Sequence, residues 1–202
     1  EATAKRYLPA AELSKLKSST ASNPQCEYAR KLFLFSYYCY GISFIDMAML
    51  TTAHIKQMED GDYIVYKRQK IKRQKGVKPI SIKITPAIRQ LIGSLQAASP
   101  TVDDFLLPIV TRSGYTGERL YMHIRARYSK YQKYLRLLAE ELGIDFHLTS
   151  YVSRHTAAMT LQRNNIPREV ISQMLGHADL ETTNIYLDSF DNGVINEAAK
   201  VL

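Results

Sequence analysis

The 202-residue chain is 46% apolar and 23% charged, enough apolar material for one domain with a full core, which excludes a disordered chain. Its 27 Lys and Arg against 19 Asp and Glu leave a formal charge of +8, a balance that favours a polyanionic partner such as nucleic acid. No run nears the roughly 18 to 20 consecutive apolar residues of a membrane-spanning helix, and two cysteines, Cys26 and Cys39, suit neither a disulfide scaffold nor a metal site.

The chain opens Glu1-Ala2-Thr3-Ala4-Lys5-Arg6, with neither an initiating methionine nor a secretion-signal pattern, as expected of a fragment of a cytoplasmic protein. Residues 1–23 read as a leader and linker, and residues 24–202 as one domain. Within the leader, Pro9 opens a short helix to about Lys17 with Glu12 in its first turn, and Ser18 to Pro24 is loop. From Gln25 to Tyr40 the pattern is helical and apolar nearly all round, with Tyr28, Leu32, Phe35 and Cys39 on one stripe. This helix belongs at the centre of the core, and both cysteines lie in or beside it as buried thiols. A second apolar helix, Phe44 to Leu50, follows Gly41.

Asp60-Gly61-Asp62 is a turn, and Tyr63 to Tyr66 is rich in strand formers. Ile80, Ile82 and Ile84 alternate with Ser81 and Lys83, so two strands are predicted to pair as a hairpin or small sheet. Pro86 to Ala98 is helix, and Leu106 to Gly117 is loop. Tyr128, Tyr131, Leu135, Leu138 and Leu142 form the stripe of another helix, which Gly143 caps. Thr149 N-caps a helix reaching Arg163, and Pro167-Arg168-Glu169 opens one that stops at Gly176. Short helices are predicted over 182–187 and 192–201. The sum is an α+β fold, mainly helical, with a small antiparallel sheet.

Three segments could carry chemistry. Lys67, Arg68, Lys70, Lys72, Arg73, Lys75, Lys78 and Lys83 are eight cations with no acid between them. They suit either a solvated hairpin tip or a loop in which Lys67, Arg68, Lys72, Arg73, Lys75 and Lys78 contact DNA phosphates. Thr149 to His155 starts a helix whose free N–H groups and Arg154 fork suit a phosphate, the alternative being an internal ion pair for Arg154 and a core position for His155. In the third, Leu175-Gly176-His177 is followed by Tyr186, whose hydroxyl has an ordinary pKa of about 10 and becomes a nucleophile only if cations or a base assist it.

Taken together, Arg154-His155, then Leu175-Gly176-His177, then Tyr186 resemble the catalytic domain of the tyrosine recombinases, the phage-integrase family. Phe35-Ser36-Tyr37-Tyr38 and Ser43-Phe44-Ile45-Asp46-Met47-Ala48 further resemble integrases of bacterial conjugative transposons and related mobile elements, and the likeness runs from Cys26 to Ser189. The resemblance implies a tyrosine-recombinase-like catalytic domain without the core-binding domain that normally precedes it. It implies site-specific cleavage and rejoining of double-stranded DNA through a 3′-phosphotyrosyl ester, with no metal or other cofactor. Tyr186 would be the nucleophile, Arg154 and His177 would hold the scissile phosphate, and Lys70, with Lys72 as the next alternative, would protonate the leaving 5′-oxygen. The implied assembly is a tetramer on two DNA sites, formed from subunits that are monomeric without DNA. The segment Asn192 to Leu202 would either dock on a neighbour or pack on its own domain. Two positions depart from the family pattern. Tyr151 stands where a histidine is usual, and Tyr40 stands where the first catalytic arginine is expected. A domain of this fold that binds DNA without cleaving it is therefore the alternative, with an unrelated helical interaction protein as a third.

Overall fold

A computed structural model describes residues 7–73, 77–177, 180, 183 and 199–200. Helix α1 spans Ala10–Ser18 and α2 Pro24–Tyr38. Asn23 starts α2 by accepting from the N–H groups of Gln25 and Cys26, and Pro24 sits in the first turn, where its missing N–H costs nothing. Leu32, Phe33 and Phe35 are fully buried. The all-round apolar pattern therefore has its expected cause: α2 is the central pillar, touching α4 (Pro86–Ala98), α5 (Gly117–Glu141) and α6 (Ser150–Arg163). Cys26 and Cys39 are buried free thiols, as expected, and burial pushes the Cys39 thiol well up from its ordinary range.

The pillar ends two residues before the predicted Tyr40. Tyr40 and Gly41 both take positive φ, 59° and 71°, and Gly41 N–H donates back to Ser36 O at 2.7 Å. A left-handed pair of this kind closes a helix whatever the hydropathy of the residues around it. Helix α3, Phe44–Ala48, follows directly, with Ser43 as its cap.

The sheet has three antiparallel strands in the order β1 (Ile55–Met58), β2 (Gly61–Tyr66), β3 (Ile80–Lys83), one more than predicted. Ile64 faces Ile55 on one side and Ile82 on the other, and both Ile64 and Ile82 are fully buried. Strand β1 left no alternating signature because its Lys56, Gln57 and Met58 are all exposed.

Helix α5 is longer than its stripe, since Tyr121 and Met122 in its opening turns are exposed and break the apolar period. Tyr131, Leu135 and Leu138 are buried, and Gly143 ends the helix at φ 60°. Thr149 precedes α6 as expected, but its side chain makes no capping bond. Instead Gln132 Oε1 on α5 accepts from Ser150 N–H at 2.8 Å. Helix α7 is Arg168–Leu175, closed by left-handed Gly176. The helices predicted over 182–187 and 192–201 fall outside the described residues, except for Thr183 and residues 199–200. Among the described residues no helix is long and apolar enough to cross a membrane.

Candidate active site

The Tyr40–Gly41 turn, the first half of α6 and the end of α7 converge on Arg154. A Cβ on Gly41 would collide with Arg154 Cα, so the turn and α6 touch backbone to backbone and only glycine fits. The Ser36 hydroxyl lies between the Ile42 carbonyl (2.7 Å) and the Ser153 hydroxyl (2.8 Å), which ties the turn to α6 a second time. Arg154 is 4% exposed. Its Nη1 donates to Gly41 O at 3.1 Å and its Nη2 to Leu175 O at 2.5 Å, so the guanidinium occupies one of the carbonyls left open at the C-terminus of α7, where the helix dipole favours a cation. The same Nη2 lies 2.8 Å from His177 Nε2. His177 is held by its own backbone, its N–H donating to Ser172 O across the left-handed Gly176. Arg154 and His177, 23 positions apart, thus share one small volume.

The basic loop joins β2 to β3 and is clamped at its start. Gln69 N–H donates to Asp46 Oδ1 at 2.7 Å, and the buried Asp46 is fixed by Ser43 Oγ at 2.6 Å. On the other side Arg68 Nη1 donates to Gly176 O at 3.2 Å, next to His177. A Cβ on Gly176 would collide with Ile80 Cδ1 and lie 3.2 Å from Arg68 Cδ, so β3, the loop and α7 meet there. Arg68 is accordingly half-buried and joined to the protein, unlike the exposed Lys67, Lys70, Lys72, Arg73 and Lys78. Lys72 Nζ donates to Gln69 Oε1 at 2.6 Å, while Lys70 directly follows the two clamped residues. Lys83, counted with the basic run, turns to Asp60 at 2.8 Å.

Tyr40 is the first left-handed residue of the turn that carries Gly41 against Arg154. Its side chain packs against the core, and burial, with the Cys39 thiol and Tyr63 hydroxyl nearby, pushes its hydroxyl up, so it stays neutral and supplies no positive charge. Tyr151, in the first turn of α6, is 55% exposed, with its ring 5.5 Å from the buried His155. Arg30, earlier on α2, gives Nε and Nη2 to Glu27 at 2.7 Å each and Nη1 to Leu16 O, so it is occupied away from the site. Lys75 and Tyr186 lie outside the described residues.

Sequence reasoning missed Asp46, the Ser36–Ser153 contact and the buried Thr183, whose Oγ1 is 2.8 Å from His177 Nδ1. Only Asp46 carried a local signal, the Ser43-x-x-Asp46 spacing of a helix cap.

The mainly helical domain with a three-stranded sheet and a loop-flanked arginine–histidine pair has the fold of a tyrosine-recombinase catalytic domain. It superposes on a crystal structure of XerA recombinase with a TM-score of 0.64 and 22% identity, covering 96% of this chain and 64% of that one. It also superposes on the Tn1549 transposon integrase in complex with transposon right end DNA, with a TM-score of 0.66 and 12% identity, over 100% and 68% of the two chains. At these identities the likeness is one of fold. The phage integrase family model matches residues 6–192, and the chain belongs to that family. Over 114 residues it is 31% identical to the tyrosine recombinase XerC of Rhodospirillum centenum, covering 56% of this chain and 31% of that protein. The matched stretches span about a third or less of the curated relatives they match.

Proposed function

We propose that this domain cleaves and rejoins double-stranded DNA in site-specific recombination or integration, with Tyr186 as the nucleophile. The observation that carries the proposal is the convergence of Arg154 and His177 within 2.8 Å, beside a basic loop latched to the same helix end. Tyr186 Oη gives its proton to water, attacks the scissile phosphorus and forms a 3′-phosphotyrosyl ester, while the bond to the 5′-oxygen breaks. The leaving oxygen takes a proton from Lys70, or from Lys72 if the loop shifts. Arg154 and His177 stabilise the charge that builds on the non-bridging oxygens. Rejoining reverses each step with a new 5′-hydroxyl, so the phosphodiester's energy is kept and neither a nucleotide nor a metal is assigned a role. Lys67, Arg68, Lys72, Arg73, Lys75 and Lys78 supply positive charge along the duplex, with Arg68 also holding the loop to α7. The chain works in the bacterial cytoplasm as one subunit of a tetramer on two DNA sites, and is monomeric without DNA.

The second reading, a domain that binds without cleaving, is favoured by Tyr40, which is neutral and packed against the core where a cation is expected. A nicked suicide duplex carrying the mobile element's end separates the two. A covalent adduct on a denaturing gel, lost in Tyr186→Phe, establishes cleavage. An adduct only in Tyr40→Arg places the defect at that one charge. Bound DNA without adduct in any form establishes the binding module.

A further inference from the structure

We propose that Thr183 is a positioning residue that fixes the tautomer of His177 in the resting site and allows it to reverse when a phosphate arrives. The proposal rests on the reading that His177 meets the scissile phosphate. A guanidinium carries only donors, so at 2.8 Å from Arg154 Nη2 the Nε2 atom of His177 is an acceptor. The imidazole is then neutral, its proton is on Nδ1, and Nδ1–H donates to Thr183 Oγ1 at 2.8 Å. Thr183 is fully buried, so its hydroxyl is held within the protein against the half-buried ring.

This resting arrangement has the wrong polarity for catalysis. A non-bridging phosphate oxygen only accepts, so it takes the N–H of Arg154 that now points at His177, and it needs a donor from Nε2. A hydroxyl both donates and accepts, and Thr183 therefore fits both states. When a water at the phosphate gives a proton to Nε2 and the hydroxide left behind takes the Nδ1 proton, the Thr183 O–H rotates and donates to Nδ1. The ring ends neutral, with one proton taken up and one released, and both ring nitrogens remain hydrogen-bonded. Serine would support the same exchange. Valine, of similar shape, would remove the Thr183 hydroxyl from Nδ1 in both states.

Two measurements on the whole chain test this. Long-range ¹H–¹⁵N spectra of the free protein should show His177 protonated on Nδ1 with a pyridine-type Nε2. In Thr183→Val that preference should weaken, and in Thr183→Ser it should return. On the nicked suicide duplex, single-turnover adduct formation should fall about tenfold in Thr183→Val, the loss of one hydrogen bond, with the DNA dissociation constant unchanged, and recover in Thr183→Ser. Protonation on Nε2 in the free wild-type protein, or a wild-type tautomer and rate in Thr183→Val, overturns the proposal. If the wild-type chain forms no adduct, the cleavage reading fails by itself, and the spectra alone decide the role of Thr183. If Thr183→Val does not fold, the wild-type and Thr183→Ser spectra decide.

Discussion

Arg30 and Arg154 are both buried arginines on helices that pack against each other, 9% and 4% exposed, yet they are built differently. Arg30 lays its fork on Glu27, three residues back on its own helix, and its charge is matched inside the element that carries it. The described partners of Arg154 are two backbone carbonyls and an imidazole, from two segments distant in sequence, the Tyr40–Gly41 turn and the end of α7. The first arrangement stabilises the fold around α1 and α2. The second fixes the direction of a guanidinium, and the positions of Gly41, Leu175 and His177 all depend on it. A buried arginine held by remote carbonyls marks the candidate site more sharply than the exposed lysine run, whose members differ little in their surroundings.

The difference can be broken at several points. Gly41→Ala should have the largest effect, because its Cβ would collide with the backbone of Arg154 and its φ of 71° disfavours any side chain. Strain and overpacking together should cost about 4 kcal/mol, lowering the melting temperature by about 10 °C in a thermal scan. Arg154→Lys should cut covalent adduct formation by about 10² to 10³, since an ammonium cannot span Gly41 O, Leu175 O and a phosphate at once. Arg30→Met should show the opposite profile. Stability should fall by about 2 kcal/mol in urea titration because the half-buried Glu27 loses its main partner and keeps only Lys31 and the Ala21 N–H, while adduct formation per folded molecule stays at the wild-type rate.

Glu27 sharpens the contrast through pH. Burial pushes its carboxyl up, but the hydrogen bond from Arg30, the Ala21 N–H and the charges of Arg30 and Lys31 outweigh it and hold the group below its ordinary 4.5. A depressed folded-state pKa gives stability that is fully present above the unfolded value and is lost as pH falls through the folded one. The melting temperature should therefore drop on acidification below about pH 4.5, and less steeply in Arg30→Met. The smallest effects belong to the loop. Each of Lys67, Lys72 and Arg73 changed to Gln should weaken DNA binding modestly and lower the slope of log affinity against log salt by about 0.9 for each phosphate no longer neutralised. Arg68→Met should disturb adduct formation more than the salt slope, because Arg68 is also the latch to Gly176.

Where one local force dominates, the fold was legible in the sequence. Pro86 and Gly176 set helix ends through backbone preference, the start read at Gln25 lies one residue inside α2, and Ile80 and Ile82 marked their strand by period. Strand β1 was not legible because its pairing with β2 is a matter of backbone hydrogen bonds, and three of its four side chains face water. The early end of α2 was hidden because Tyr40 is an ordinary helical residue until Gly41 is pressed against Arg154. At the site, motif spacing singled out Arg154 and His177, and the structure brings them together. Charge alone could not separate Arg68 from its lysine neighbours, since its half-buried latch depends on where α7 ends. Thr183 was invisible for a similar reason, because its hydrogen bond with His177 forms only after the turn at Gly176 has folded.

The chain has 14 tyrosines, so the central claim is tested most directly by finding which of them carries DNA. The wild-type chain would be trapped on the nicked suicide duplex, digested with nuclease and trypsin, and analysed by mass spectrometry. A 3′-phosphonucleotide on Tyr186, in the tryptic peptide spanning residues 169–200, is the expected result. A nucleotide on any other tyrosine, or bound DNA with no modified peptide, would contradict it.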